Sequence, residues 1–337
     1  MASSAQRAPG TDLDAEAGPR LLVALPALDE EKTVADVIRG IPRDVLGIAS
    51  VDVLVVDDGS RDRTAEEAAA AGARVLRHAN TRGLGAAFGT ALRDAIETGA
   101  DLLVSIDADG QFDPGDIRAL VAPVLAGEAD FATASRFMDP DRVPVMPAAK
   151  LWGNRMMARL ISRLTGEAFT DVSCGLRCYS RRAVLTLNPM GRFTYTQEVF
   201  LNLAFKQLRI AEVPVAVRGE REHGSSRVAG NLWRYAFNTA GIIFRCYRDY
   251  RPLRFFGALA AALLLPAAAL GVFLLAHYLD TGSFSPHKWA GFTGTALAGL
   301  GVLMLFMGLI GDMLARHRVY LEELLYHRRA ETPRRPR

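Results

Sequence analysis

The chain has 337 residues, half of them hydrophobic, and a formal net charge of +3. This length suffices for one large domain with a smaller element attached, and the small net charge gives no sign of a nucleic-acid binding surface. Residues 1–20 lack the apolar core of a signal peptide, so we expect them to form a disordered tail. The odd number of cysteines, three, favours reduced thiols and a cytosolic domain.

Short apolar runs alternate with helical patterns from residue 21 to residue 108. Continuous apolar strands separated by helices are typical of a mostly parallel sheet that is covered on both faces. We therefore predict an α/β fold for a domain that covers residues 21–230. The predicted strands are 21–28, 51–58, 73–78 and 101–108, and the predicted helices are 30–40, 61–72 and 83–99.

Acidic residues follow two of these strands. Asp57 and Asp58 end the second strand, and Asp107, Asp109 and Gln111 follow the fourth in a D-x-D-x-Q pattern. Ligands of open α/β sheets bind beyond the carboxyl ends of the strands, and such oxygen ligands suit Mg²⁺ or Mn²⁺ held together with substrate phosphates. Acids are also common in loops, and the second strand ends in good turn and helix-cap residues, so a structural role stays open there.

Two long apolar segments lie near the end of the chain, at 255–279 and 289–311. Each exceeds the ~20 residues that a helix needs to cross a bilayer, and arginines flank the pair on both outer sides. Positive flanks face the cytoplasm, so we predict a two-span hairpin in the inner membrane with the large domain and a basic tail, 312–337, in the cytoplasm. Residues 231–254 form an apolar helical stripe with arginines beside it, which favours a helix on the membrane surface over one packed on the domain.

Small residues recur on one face of the second apolar segment. Gly294, Ala298 and Gly301 share this face, and Gly308 lies two turns further on. Small residues at such spacing let two helix backbones approach closely in lipid. The partner is either a second copy of the chain or residues 260–264 of the first segment.

Nine short motifs in a fixed order resemble those of family 2 glycosyltransferases with the GT-A fold, in particular the dolichyl-phosphate mannosyltransferase branch. The resemblance covers about residues 20–230, and the two apolar segments are similar to those of bacterial polyprenyl-phosphate glycosyltransferases. The motifs are PALDEE (26–31), VVDDGSRDRT (55–64), NTRGLGAAFGTAL (80–92), DADGQFDP (107–114), SRF (135–137), GNR (153–155), DVSCGLR (171–177), EVPV (212–215) and REHGSSR (221–227).

The resemblance implies a role for each matching residue. Those implied to line the nucleotide are Pro26, Leu28, Glu30, Asp57 or Asp58, Asp107 and Ala108. Those implied to hold a Mg²⁺ or Mn²⁺ ion on the diphosphate are Asp107, Asp109 and Gln111. Those implied to contact phosphates of donor or acceptor are Arg136, Arg221 and Arg227, and those implied to lie at the reaction centre are Asp171 and Arg177. Two positions depart from the family pattern, because Asp29 replaces the usual Asn and Leu176 replaces the usual aromatic residue.

Physical chemistry agrees with a reaction between two phosphorylated substrates. Arginine binds phosphate through two parallel hydrogen bonds, although any single arginine could equally be a surface charge. A phosphate oxygen is already ionised at neutral pH, so no general base is required to activate it. Asp171 then orients Arg177, binds the sugar or caps a turn after Thr170, and these three interpretations stay open. The roles of His223 and Glu198, the latter at the head of a predicted amphipathic helix, also stay open.

We therefore expect an inverting, metal-dependent transfer of a sugar from a nucleotide diphosphate to undecaprenyl or dolichyl phosphate. The resemblance also implies a homo-oligomer held partly through the apolar helices. One alternative is a transferase that acts on another lipid or a polysaccharide, although NLWRY (231–235) does not match the Q-x-x-R-W of processive synthases. The other is a non-catalytic scaffold that binds a nucleotide sugar. The identities of the sugar and the nucleotide are not readable from the sequence.

Overall fold

Seven strands form one mixed sheet in the computed structural model, which describes residues 18–188, 195–218 and 232–332. The order across the sheet is β3-β2-β1-β4-β6-β5-β7, and all neighbouring pairs are parallel except those made by β6. This confirms the predicted α/β class with a mostly parallel sheet. The strands are β1 (Arg20–Ala27), β2 (Ser50–Asp57), β3 (Arg74–Arg77), β4 (Leu102–Ser105), β5 (Phe131–Ser135), β6 (Arg177–Ser180) and β7 (Ile210–Pro214).

Ten α-helices accompany these strands within the described ranges, together with two short 3₁₀ turns at Pro114–Asp116 and Pro140–Arg142. The first seven helices belong to the same unit as the sheet, and the last three form a second compact unit, Leu232–Glu331. The helices are α1 (Val34–Gly40), α2 (Thr64–Ala70), α3 (Leu84–Thr98), α4 (Ile117–Leu125), α5 (Ala148–Thr165), α6 (Arg181–Thr186), α7 (Thr196–Phe205), α8 (Leu232–Tyr250), α9 (Pro252–Thr281) and α10 (Lys288–Ala330).

The core of the first unit follows from the apolar strands. β1 and β4 are almost entirely buried because helices cover both faces of the sheet. The first two helices begin later than predicted, at Val34 and Thr64, because the loops that precede them are tied together. The amide of Glu30 donates to Thr64 Oγ1 at 2.8 Å, and the amide of Arg61 donates to Asp29 Oδ1 at 2.7 Å.

The antiparallel strand β6 organises the carboxyl edge of the sheet, the side on which β4 and β5 end. It lies between β4 and β5, with Arg177 opposite Ser105 on one side and opposite Thr133 on the other. Because β6 runs against its neighbours, its first residue lies at their carboxyl ends. The loop before β6 therefore joins the loops after β4 and β5 at one edge.

Helix α7 differs from its predicted amphipathic character. Nine of its ten residues, Thr196–Ala204, are buried, including Gln197, Glu198 and Asn202. A helix that is buried on all sides cannot present a polar face to solvent. Glu198 lies in the first turn of α7, as expected for the head of the helix, but its carboxyl group is buried inside the unit, and its role stays open.

Helices α9 and α10 are both long and apolar enough to cross a membrane by length and composition. They contain 30 and 43 residues, so each extends beyond the predicted apolar segments. The segment after the second span is not a separate tail in this structure, because α10 continues without interruption to Ala330.

The small-residue face of α10 packs against α9 of the same chain. Gly294, Gly301 and Gly308 are buried, and a Cβ atom on Gly301 would lie 2.6 Å from Leu264 Cγ. The prediction that this face holds an oligomer together is therefore wrong, since α9 already covers it. The alternative of packing within the hairpin is confirmed, and self-association through another surface stays a prediction.

We expect Gly301→Leu to destabilise the hairpin by roughly 1–3 kcal/mol, the usual cost of overpacking. Gly299→Leu is the matched control, since a Cβ atom there meets nothing within 4 Å. Thermal unfolding of the two purified variants in detergent tests this. Equal melting temperatures for both variants would contradict the packing of Gly301 on α9.

Candidate active site

The loops after β1 and β2 form one connected wall at the carboxyl edge of the sheet. Asp29 has a φ of +51°, a left-handed conformation that Asn and Asp tolerate better than other residues with side chains. Its amide donates to Ser60 Oγ at 2.9 Å. Aspartate at the position where the family pattern has asparagine therefore preserves the local backbone.

Asp57 and Asp58 order the loops around them. Asp57 is buried, accepts the amide of Ser60 at 2.8 Å through Oδ1 and forms an ion pair with Arg77. Asp58 accepts His78 Nδ1 at 2.7 Å and the amide of Gly83 at 2.7 Å. The turn interpretation is thus confirmed for both carboxylates, and contact of either with a base or ribose stays a prediction.

A polar cavity of about 570 Å³ lies beside these two loops. Residues 59–61 line it from the β2 side, and residues 77–81 line it from the β3 side. Pro26 is buried near the end of β1, while Leu28 and Glu30 are half-buried on the loop that follows it. These residues therefore share one edge of the sheet, as the sequence predicted.

The acids after β4 lie in a tight turn that two neighbours fix. The carbonyl oxygen of Ala108 accepts a hydrogen bond from Thr33 Oγ1 at 2.7 Å, and Asp109, only 2% exposed, accepts the amide of Gln111 at 3.0 Å. Gln111 Nε2 also donates a hydrogen bond to the carbonyl oxygen of Arg218 at 3.1 Å. The turn is thereby held at both ends.

The set of oxygen ligands in this turn fits a hard divalent cation. It offers two carboxylates, Asp107 and Asp109, and the amide of Gln111, and oxygen ligands are the ones that Mg²⁺ and Mn²⁺ prefer. No group of three His, Cys, Asp or Glu side chains that could hold a metal occurs in the part of the chain that the structure describes. A cation here would therefore need further oxygens from substrate phosphates or water.

Arg136 and Asp171 form a bidentate ion pair at this edge. Arg136 Nε and Nη2 donate to the two carboxylate oxygens of Asp171 at 2.6 Å and 2.9 Å. The side chain of Arg136 is 12% exposed and that of Asp171 is fully buried. Asp171 therefore orients Arg136 and not Arg177, which corrects one interpretation of the sequence. It also accepts the amide of Ser173 at 3.0 Å, so the turn-cap interpretation is confirmed.

Arg177 faces the protein interior. It is fully buried, and its guanidinium group donates to the carbonyl oxygens of Cys174, Thr196 and Val172 at 2.7, 2.9 and 3.1 Å. The rings of Phe131, Tyr195 and Phe200 surround it at 5.1–5.7 Å. This placement supports a positioning role for Arg177, because its donors hold the loop before β6.

Two residues near the site were missed from the sequence. Glu212, in the EVPV motif, accepts the amides of Thr170 and Asp171, both at 2.8 Å, and so fixes the start of the loop that carries Asp171. Gly175 lies directly against the carboxylate of Asp107. The motifs contained both residues, but no sequence signal tied them to the acids more than 40 positions away.

Some of the predicted residues cannot be placed. Arg221, His223 and Arg227 lie outside the described residues.

Cys174 and Cys178 are both buried. Burial raises the pKa of the Cys174 thiol to about 12, so this thiol is neutral at physiological pH.

Comparisons with known proteins agree with this geometry. The profile described as glycosyl transferase family 2 matches residues 22–187. The chain is 28% identical over 215 residues to the UDP-N-acetylglucosamine–dolichyl-phosphate N-acetylglucosaminyltransferase of Methanococcus voltae, which covers 58% of this chain and 84% of that protein. It is 28% identical over 322 residues to the undecaprenyl-phosphate 4-deoxy-4-formamido-L-arabinose transferase of Pseudomonas aeruginosa, covering 90% and 89% of the two chains.

A solved structure shows the same fold. Glucosyl-3-phosphoglycerate synthase from Mycobacterium tuberculosis, in complex with Mn²⁺, uridine diphosphate and glucosyl-3-phosphoglycerate, superposes with a TM-score of 0.53 at 25% identity. The match covers 73% of this chain and 86% of that chain. This chain therefore shares its overall fold with that synthase.

Proposed function

The chain belongs to glycosyl transferase family 2, and from this premise we propose that it transfers a sugar from a nucleoside diphosphate to a polyprenyl phosphate. The observation that carries the proposal is the pair Asp107 and Asp109, directly behind β4 at the edge where Arg136 is also held. The polyprenyl acceptor is supported by the similarity to a transferase for undecaprenyl phosphate over 90% of this chain. That similarity extends well beyond the sheet, which ends before residue 232.

The nucleotide-sugar donor is proposed to bind across the loops that follow β1, β2 and β4. Residues proposed to contact the nucleotide are Pro26, Leu28, Glu30, Asp57, Asp58, Asp107 and Ala108. Asp107, Asp109 and Gln111 are proposed to hold a Mg²⁺ or Mn²⁺ ion, which when bound would neutralise charge on the leaving diphosphate. The Mn²⁺ and uridine diphosphate in the structure of the M. tuberculosis synthase support a divalent ion in this type of site.

The acceptor phosphate is proposed to attack without a general base. Its oxygen forms a bond to C1 of the sugar while the bond from C1 to the donor phosphate oxygen breaks, and the electron pair of that bond leaves with the diphosphate. Attack from the opposite face inverts the configuration at C1. The task of the protein is therefore alignment and charge stabilisation, and Asp171 contributes by fixing the guanidinium group of Arg136.

The membrane anchor is proposed to be the α9–α10 hairpin, with both ends and the catalytic unit on the cytoplasmic side. The arginines that flank both helices and the nearly neutral loop between them support this orientation. An enzyme anchored in this way meets a lipid acceptor by diffusion in two dimensions.

Release of nucleoside diphosphate in the presence of different acceptors tests the proposed function. Purified protein in detergent receives a panel of nucleotide sugars with undecaprenyl phosphate, the uncharged polyprenol or an oligosaccharide. We expect release with the polyprenyl phosphate only. Release that depends on the oligosaccharide or on an uncharged lipid would favour the alternative acceptors, and binding without release would favour a scaffold.

Arg221 and Arg227 are proposed to bind substrate phosphates. We expect Arg227→Ala to lower kcat/KM by roughly 10- to 100-fold, the effect of losing one charge-assisted hydrogen bond or a bidentate pair. Arg227→Lys should restore activity in part, because lysine keeps the charge but lacks the planar fork. Arg39→Ala, which removes an exposed arginine that pairs with Asp36, is the control. Kinetics of the Arg227 variants that match this control would assign Arg227 to the surface.

The orientation of the hairpin makes a separate prediction. Ser283 lies in the exposed loop between α9 and α10, so a Ser283→Cys variant in intact cells should react with a membrane-impermeant maleimide from outside. A Glu323→Cys variant, near the end of α10, should react only after lysis. The reverse pattern would show that the topology is inverted.

A further inference from the structure

One loop connects the two charged parts of the candidate site. Residues 170–176, called here the bridge loop, run from the partner of Arg136 to the start of β6. Asp171 in this loop holds Arg136, and Gly175 in the same loop touches Asp107. The geometry points to Gly175 as a positioning residue that sets where the Asp107 carboxylate lies, an inference that rests on the proposed function of Asp107 as a metal and nucleotide ligand.

The bridge loop is held from three sides by buried or half-buried groups. Glu212 receives the amides at its start. Gln197 Nε2 donates to Ser173 Oγ at 3.3 Å in its middle, and Arg177 donates to the carbonyl oxygens of Val172 and Cys174. A loop fixed at its beginning, middle and end cannot shift easily, so contacts made by Gly175 are imposed on whatever faces it.

The space at Gly175 is filled by Asp107. A Cβ atom built on Gly175 would clash with Asp107 Oδ2 and would lie 2.7 Å from Cγ and 2.9 Å from Oδ1. These three atoms are the nearest ones, and all belong to a single side chain. The absence of a side chain at position 175 is thus what allows the carboxylate to occupy its observed position.

Alanine at this position would displace the carboxylate and leave the backbone intact. The φ of Gly175 lies outside the left-handed region, so alanine can adopt the same backbone conformation. The clash involves the far end of a rotatable side chain, and Asp107 can turn away from it. Since the bridge loop is held in place, the side chain of Asp107 would move instead. Its carboxylate oxygens would then leave the position from which they are proposed to bind the cation.

The chain offers a matched control for this substitution. Gly89 in α3 has ordinary helical φ, and a Cβ atom there meets nothing within 4 Å. Gly89→Ala therefore makes the same chemical change without a clash. Any general effect of replacing a glycine in this unit would appear in both variants.

Binding of Mn²⁺ to the full-length protein in detergent tests the inference. Free Mn²⁺ is measured by electron paramagnetic resonance during titration in the presence of UDP and GDP. We expect Gly175→Ala to bind Mn²⁺ about 10- to 100-fold more weakly than wild type, the usual effect of disturbing a residue that orients a metal ligand, while Gly89→Ala binds like wild type. Equal affinity of Gly175→Ala and wild type overturns the inference. Absence of Mn²⁺ binding by the wild type itself instead refutes the proposed metal site, so the two failures are distinguishable.

A second variant separates displacement of Asp107 from general damage. Asp107→Ala removes every atom that the new Cβ would meet most closely, so the Gly175→Ala and Asp107→Ala double variant should bind Mn²⁺ no more weakly than Asp107→Ala alone. If Gly175→Ala is poorly folded, the same double variant should regain the melting temperature of Asp107→Ala. A double variant that is additively weaker or remains unfolded would show that Gly175 acts through another contact, against the inference.

Discussion

Replacement of Asp109 by alanine is expected to abolish sugar transfer while the protein stays folded and bound to the membrane. Asp109 lies in the turn after β4, is 2% exposed and fixes that turn through the amide of Gln111. A metal ion at a developing negative charge contributes several kcal/mol to transition-state stabilisation, so we expect kcat/KM to fall by about 10³-fold.

Asp113 provides the matched control for this variant. It belongs to the same DADGQFDP motif, but it is exposed, and its carboxylate accepts the amide of Gly115 at 2.8 Å at the start of a 3₁₀ turn. The Asp113→Ala variant should lose some local stability and keep the kcat/KM of the wild type for sugar transfer. Full activity of Asp109→Ala, or of the wild type in excess chelator, would contradict the metal assignment.

Replacement of Asp171 by asparagine is expected to have the second large effect. Asp171 is buried and receives two hydrogen bonds from the guanidinium group of Arg136. Removal of one partner from a buried ion pair typically costs 3–5 kcal/mol. We expect about 2–3 kcal/mol here, because Arg136 keeps some solvent contact and asparagine can still accept one hydrogen bond. Since the guanidinium group also loses its orientation, transfer should fall by at least about 10²-fold.

A buried carboxylate at the opposite edge of the sheet separates these two effects. Asp130 precedes β5 and pairs with Arg209, so Asp130→Asn should also lower stability. The Asp130→Asn variant should keep its kcat/KM, because Asp130 precedes β5 and so lies at the opposite edge of the sheet from the acids that follow β4. Chemical unfolding and steady-state kinetics of both variants check this, and equal losses of rate in both would mean that Asp171 acts only through stability.

The sequence predicted the parts of the fold that depend on local pattern. The apolar runs gave β1 to β4, and Gly99 ends α3 in a left-handed conformation, as its position after the helical pattern indicates. The site edge was also predictable, because carboxyl ends of parallel strands meet there and the acids of β2 and β4 follow those strands. The family assignment and the enzyme class, which depended on ordered motifs, are confirmed.

The parts that could not be predicted depend on contacts between distant residues. No local signal shows that β6 runs antiparallel, and that reversal is what brings the bridge loop to the acids. The partner of Asp171 is 35 positions away in sequence, whereas Arg177, which one of the three open interpretations paired with Asp171, lies much closer in the chain. Small residues on α10 showed that two helices pack closely, but the pattern alone does not tell whether the partner is another chain or α9.

The structure of the lipid product is the measurement that tests the central claim most directly. Purified protein, a nucleotide sugar that supports turnover and undecaprenyl phosphate are combined with Mn²⁺, and the lipid fraction is examined by mass spectrometry and by phosphorus and proton NMR. The account predicts one sugar joined to the lipid through a single phosphate, with the configuration at C1 opposite to that of the donor. A lipid diphosphate sugar, retention of configuration, or free sugar without lipid product would contradict it.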